Sequence, residues 1–261
     1  MNCLRSLFAL AVVALLAVPA SAQWGDLKIK FIVDGEVPAQ TAIADAKKDP
    51  FCATKKVVTE NIVVGPNKEL SNVFVYLIPD ADQKVTVCPD LPAPADSVVL
   101  DNMNCAYVPR GLFVQTSQKL VLGNKDPIGH NVKGEFIAND LSFNDLIPAG
   151  GSVKKAFTKN ENNPFPIGCN IHGYMLSYVL VRDNPYAAVS NAAGEVTIAK
   201  LPVGKWTFAV WHEGAGYVSS AKVAGKVVTW GKKGRMVEVI KAEGTDLGTV
   251  EIPLAILQKK K

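Results

Sequence analysis

Four side chains in this sequence have types and a spacing suited to one kind of chemistry. His130 lies in the polar run 124–132, and Cys169, His172 and Met175 follow inside seven residues. Two imidazoles and a thiolate in a trigonal set, with a weak axial thioether, make up the ligand chemistry of a copper electron-transfer centre. The thiolate favours Cu(I), imidazole accepts both oxidation states, and a constrained site lets the metal change charge with little rearrangement. Zinc also binds two His and a Cys, but it more often recruits a second thiolate or a carboxylate than a thioether. Each residue has a plainer use too. His130 would be a solvated loop residue, Cys169 half of a disulfide, and Met175 a core residue at the head of a strand. None of these uses accounts for the joint spacing.

The elements that must position these residues read as short strands. Residues 27–33 alternate apolar and polar and end at Asp34-Gly35, a strand running into a turn. Residues 39–50 read as a loop or short helix, and 57–58 with 61–64 as a further strand closed by Gly65-Pro66. Residues 72–78 form the clearest strand of the first third, rich in β-branched and aromatic types. A Pro-punctuated loop covers 80–96 with one short strand at 84–87. From Val98 the pattern is strand and turn: 98–100, 107–108, 112–115 and 119–122, the last delivering the chain to Asn124 and His130. Strands of this length with frequent turn signals and no long helical period specify an all-β sandwich or barrel.

Around the four residues the sequence resembles the cupredoxins, the plastocyanin-like blue-copper proteins. The matching pieces are Asn124 followed by His130-Asn131-Val132, then the run 147–153, then Cys169-x-x-His172-x-x-Met175 leading into the strand 176–181. The resemblance covers residues 105–183. It implies a Greek-key β-sandwich in which His130, Cys169 and His172 bind copper with Met175 axial. Asn131 would orient the ligands through hydrogen bonds. An electron carrier of this type works with a redox protein partner.

Asn184-Pro185 marks a boundary. Beyond it, Gly194, Ile198, Leu201-Pro202, Gly204, Trp206 and Val210-Trp211 resemble the carboxypeptidase-regulatory-like modules, small transthyretin-like β-sandwiches. Residues 225–230, 235–240 and 247–254 supply later strands. The expected organisation is a signal peptide at 1–22, an N-terminal β region with the cupredoxin-like domain at 23–183, and the second sandwich at 184–261. The combination resembles bacterial exported proteins labelled methylamine-utilisation-type, from which it departs at Arg110 and at Lys133-Gly134, where that pattern tends to have His.

Export follows from the first 22 residues: Arg5, an apolar stretch at 7–17, and Ala20-Ser21-Ala22 as a cleavage site before Gln23. The apolar stretch is shorter than the ~20 residues that span a bilayer, so a periplasmic or secreted protein is expected rather than a membrane-spanning one. Cleavage leaves Cys52, Cys88, Cys105 and Cys169, an even set with three pairings. If Cys169 binds metal, Cys105 pairs with Cys52 or Cys88. If Cys169 is disulfide-bonded, the protein is instead a non-redox binding or structural module. The formal charge of +4 is spread among acidic residues, and no basic-aromatic interleaving points to nucleic acid. His212-Glu213 reads as a strand-end pair. With no nucleophile elbow, phosphate-cradling loop or paired carboxylates, enzymatic activity is not expected.

Overall fold

Alternation along Trp24–Asp34 turns Leu27, Ile29, Phe31 and Val33 to one side, and all four are buried. In the computed structural model, which describes residues 23–258, that face packs against Phe208 and Val210 of the strand Gly204–His212, and against Val196, Ile198, Val250 and Ile252. The strand order of this sheet is Glu195–Pro202, Trp24–Asp34, Thr245–Pro253, Ser220–Val223, Lys226–Thr229. Opposite it, Ala187–Val189, Phe74–Leu77, Gly204–His212 and Gly216–Tyr217 form a second sheet, with Arg235–Ile240 also paired to Gly204–His212. Burying each large apolar side chain in such a core contributes about 1.5–3 kcal/mol relative to exposure.

A second pair of sheets holds the candidate site. One runs Gly111–Gln115, Leu176–Arg182, Phe165–Gly168, His130–Phe136, Leu141–Ile147; the other runs Ala106–Val108, Ser97–Met103, Lys119–Asn124, Ser152–Ala156. Their core contains Leu100, Leu120, Leu122, Val132, Phe136, Ile147, Ile167 and Val181. Helix among the described residues is limited to the 3-10 turns Ala44–Lys48 and Cys52–Thr54 and the single turn Leu254–Leu257. The fold is all-β.

The strand pairing departs from the division expected at 183/184. Trp24–Asp34 pairs antiparallel with Glu195–Pro202 and parallel with Thr245–Pro253, and Phe74–Leu77 pairs with Ala187–Val189 and Gly204–His212. Both N-terminal strands therefore belong to the second sandwich, and the site sandwich, spanning 97–182, is inserted within it. The apolar face of Trp24–Asp34 is complementary to the C-terminal strands, and sequence proximity does not decide which edge a strand joins. Two expected strands are also absent. Residues 57–64 reduce to isolated bridges, Ala42 with Val58 and Val64 with Leu70, and 84–87 has no ladder. The expected signal peptide lies outside the described residues. None of the helices among the described residues is long and apolar enough to cross a membrane.

The two sandwiches meet through Phe74, Tyr76, Tyr178, Leu180 and Trp211, with the Tyr178 and Trp211 rings 5.0 Å apart between centroids. Beside them Arg110 donates to both carboxylate oxygens of Glu213, at 2.6 and 2.8 Å, and to Glu60 at 3.1 Å.

Candidate metal centre

His130 opens the strand His130–Phe136, opposite Ile147 of the neighbouring strand. The loop before it is braced by Asn124, whose amide donates to the carbonyls of Ile128 and Ile147 at 2.7 and 2.9 Å. Cys169 follows directly on Phe165–Gly168, and Met175 directly precedes Leu176–Arg182, the antiparallel neighbour. The connecting loop closes on itself: the amide of Met175 donates to the carbonyl of His172 at 2.8 Å, and that of Cys169 to the carbonyl of Met175 at 3.3 Å. Three of the four residues thus come from one short loop between two core strands. The fourth comes from the strand beside it.

The structure brings the two imidazoles together with their Nδ1 atoms 3.1 Å apart. These two residues and the Cys169 Sγ offer ligand atoms within 4.8 Å of one another, and all three residues are buried. Met175 is buried in the same core, which also contains Cys169. With imidazole–metal bonds of about 2.0–2.1 Å, nitrogens at that separation subtend about 100° at a shared ion, within reach of tetrahedral or distorted trigonal coordination. The donor set therefore fits a copper-type His₂CysMet site. Burial holds the His130 pKa below its ordinary value, against the opposing pull of Asp126, so the ring stays neutral with a lone pair to offer.

Asn131 reaches the Cys169 loop from the adjacent strand. Its Oδ1 accepts from the amides of Asn170 and Ile171, at 2.7 and 3.1 Å, and from the Cys169 thiol at 3.3 Å. The amide of His172 donates to the Cys169 sulfur at 3.3 Å. The sulfur is therefore fixed from two sides by polar groups of its own loop and of the adjacent strand.

Cys52 and Cys105 form a disulfide, and Cys88 and Cys169 are free and buried. Of the three cysteines left open by the sequence, Cys88 is the one without a partner sulfur. The competing use of Cys169 in a disulfide does not occur. Glu213 is engaged by Arg110, and the His212 Nδ1 accepts from the amide of Gly214, so the strand-end pair has structural contacts.

Two residues next to the histidines were not legible in the sequence. Asp126 Oδ2 lies 2.9 Å from His130 Nε2, and Asp49 Oδ2 lies 3.6 Å from His172 Nε2. Asp126, four residues before His130 on the same loop, left a faint local signal. Asp49 left none, because it arrives from a segment remote in sequence.

No protein-family model matches this chain, and no curated protein matches it. Among solved structures it is similar to an amicyanin from Paracoccus versutus (Thiobacillus versutus), over 41% of this chain and 97% of that one, at 18% identity and a TM-score of 0.30. The copper(I) form of an amicyanin mutant aligns over 42% and 99%, at 14% identity and a TM-score of 0.31. A purple cupredoxin from Nitrosopumilus maritimus aligns over 33% and 99%, at 18% identity and a TM-score of 0.28. The likeness is distant, and the chemistry of the site rests on its own residues.

Proposed function

We propose that this protein binds one copper ion through His130, Cys169 and His172, with Met175 axial, and carries single electrons outside the cytoplasm to or from a redox protein partner. The observation that carries this reading is the convergence of two imidazole Nδ1 atoms and a free thiol at one buried point. Bound copper would supply a one-electron couple. The chain's own residues supply the rest. Strand-anchored ligands resist rearrangement between charge states, Asn131 and the His172 amide hold the sulfur, and Cys169 and Met175 are buried in the surrounding core. The Cys52–Cys105 disulfide supports an exported location, since such bonds persist in oxidising compartments.

The test is copper titration of the purified protein. One copper per chain and an intense thiolate-to-copper absorption band are expected, and Cys169→Ser should abolish the band. Reversible one-electron voltammetry should accompany it. Stoichiometric zinc retained against copper in competition, or a copper-loaded protein with no voltammetric response, would overturn the proposal.

A further inference from the structure

Both imidazoles are approached from behind by a carboxylate, and both carboxylates are anchored to the same disulfide. Asp126 is buried and accepts from three donors: His130 Nε2 at 2.9 Å, the Asn104 amide at 2.6 Å and the Cys105 amide at 2.8 Å. Asp49 lies against His172 Nε2 at 3.6 Å, longer than a hydrogen bond, and accepts from the Phe51 and Cys52 amides at 2.8 and 3.0 Å. Each carboxylate therefore takes an amide from one half-cystine and faces the outer nitrogen of one histidine.

We propose that Asp126 and Asp49 are positioning residues for His130 and His172, forming a carboxylate clamp whose spacing is set by the Cys52–Cys105 disulfide. The chemistry is simplest at His130. A carboxylate can only accept, so the ring must carry its proton on Nε2, which leaves the Nδ1 lone pair aimed at His172 and Cys169. The opposite tautomer would set a bare nitrogen against the carboxylate and an N–H into the ligand point. At His172 the looser Asp49 contact faces the outer ring nitrogen and orients the ring. The carboxylates are not ligands of separate metal sites. The two other groupings of ligand-type side chains, Asp49 with Cys52 and His172, and Asp126 with Cys105 and His130, each need a sulfur that the disulfide already occupies.

The clamp deepens the copper reading, on which its affinity effect rests, but its tautomer effect does not depend on metal. The chain has three histidines, so ¹⁵N-histidine NMR of the copper-free, full-length protein can assign each ring. His130 should show the Nε2–H tautomer in the unsubstituted protein. In Asp126→Asn the side-chain amide can donate to Nε2 and should drive His130 to Nδ1–H. Cu(II) affinity should fall 10–100-fold in the same variant. Asp49→Asn should weaken Cu(II) binding in the disulfide-bonded protein and have no further effect in a Cys52→Ala/Cys105→Ala background. An Nδ1–H His130 in the unsubstituted protein overturns the clamp without any variant having to fold. So does a folded Asp126→Asn that keeps both the Nε2–H tautomer and its copper affinity, and so does an Asp49 effect indifferent to the disulfide. If the unsubstituted protein binds no copper, the electron-carrier reading fails, and the tautomer measurement alone decides the clamp.

Discussion

Removing the Cys52–Cys105 disulfide should cost this protein a large share of its stability. The bond joins residues 53 positions apart. In the chain-entropy treatment a closed loop of that length withholds about 14 cal/mol/K from the unfolded ensemble, or about 4 kcal/mol at 25 °C. Both cysteines are fully buried beside Ala46, Ile43, Phe51 and Tyr174, so Cys52→Ala/Cys105→Ala also leaves a small void. Residual structure in the unfolded chain works the other way. A net loss of about 2–4 kcal/mol is expected, against a total of about 5–15 kcal/mol for a typical domain. Urea unfolding of the double variant and of the unsubstituted protein, with and without reductant, measures it. Reduction of the unsubstituted protein should be slow in buffer, where both sulfurs are buried, and rapid in urea. The reduced protein should then match the variant. A loss below about 1 kcal/mol would refute the reasoning, since the bond would then restrict almost nothing in the unfolded chain.

Other consequences are as direct. Among the cysteines of residues 23–258, denaturing alkylation without reductant should label Cys88 and Cys169 and leave Cys52 and Cys105 unlabelled; a Cys169 recovered in a disulfide would remove the proposed metal site. Met175→Leu should raise the copper potential while copper stays bound, because losing a thioether donor disfavours Cu(II), and it should destabilise the fold by less than ~1.5 kcal/mol as a swap of similar volume. Arg110→Met should destabilise by about 3–5 kcal/mol, since it leaves the nearly buried Glu213 carboxylate without its bidentate partner. Adding Glu213→Leu should recover most of that loss in thermal unfolding, and failure to recover would show that Arg110 acts through something other than this pair.

What the sequence made legible was whatever is encoded locally. The Cys169–Met175 spacing is legible because all three side chains lie in one short loop, which adjacent strands fix. Alternation at Leu27, Ile29, Phe31 and Val33 declared a strand with a buried face. What escaped was pairing at a distance. A buried apolar face does not say which sheet it completes, so nothing local in Trp24–Asp34 points to Glu195–Pro202 and Thr245–Pro253 as its partners. Val57 and Val58 have strand-forming side chains, but they lie in an excursion where one bridge to Ala42 is all the ladder that forms. Cysteine pairing is non-local in the same way, and so is the approach of Asp49 to His172.

The interleaved topology explains why the site is covered at all. Ile32 bridges Glu69, and the amide of Val33 donates to the carbonyl of Lys68, so residues 33–68 form one long loop closed at its base on the second sandwich. Loops of this length inside a folded unit are uncommon unless they serve a purpose, because ordering them opposes folding. This one reaches across to the site sandwich and meets it through Asp49 at His172, through Cys52 at Cys105 and through Glu60 at Arg110. Apolar packing of Ile43, Phe51 and Val57 with Ile128 and Tyr174 fills the space between. A sandwich of 97–182 alone would keep His130, Cys169, His172 and Met175 but would lose Asp49 and the sulfur that pairs with Cys105. It would also expose Tyr174 beside the ligand loop. Because the loop belongs to the second sandwich at its base and to the site at its tip, the order of the histidine pair depends on both halves of the chain folding together.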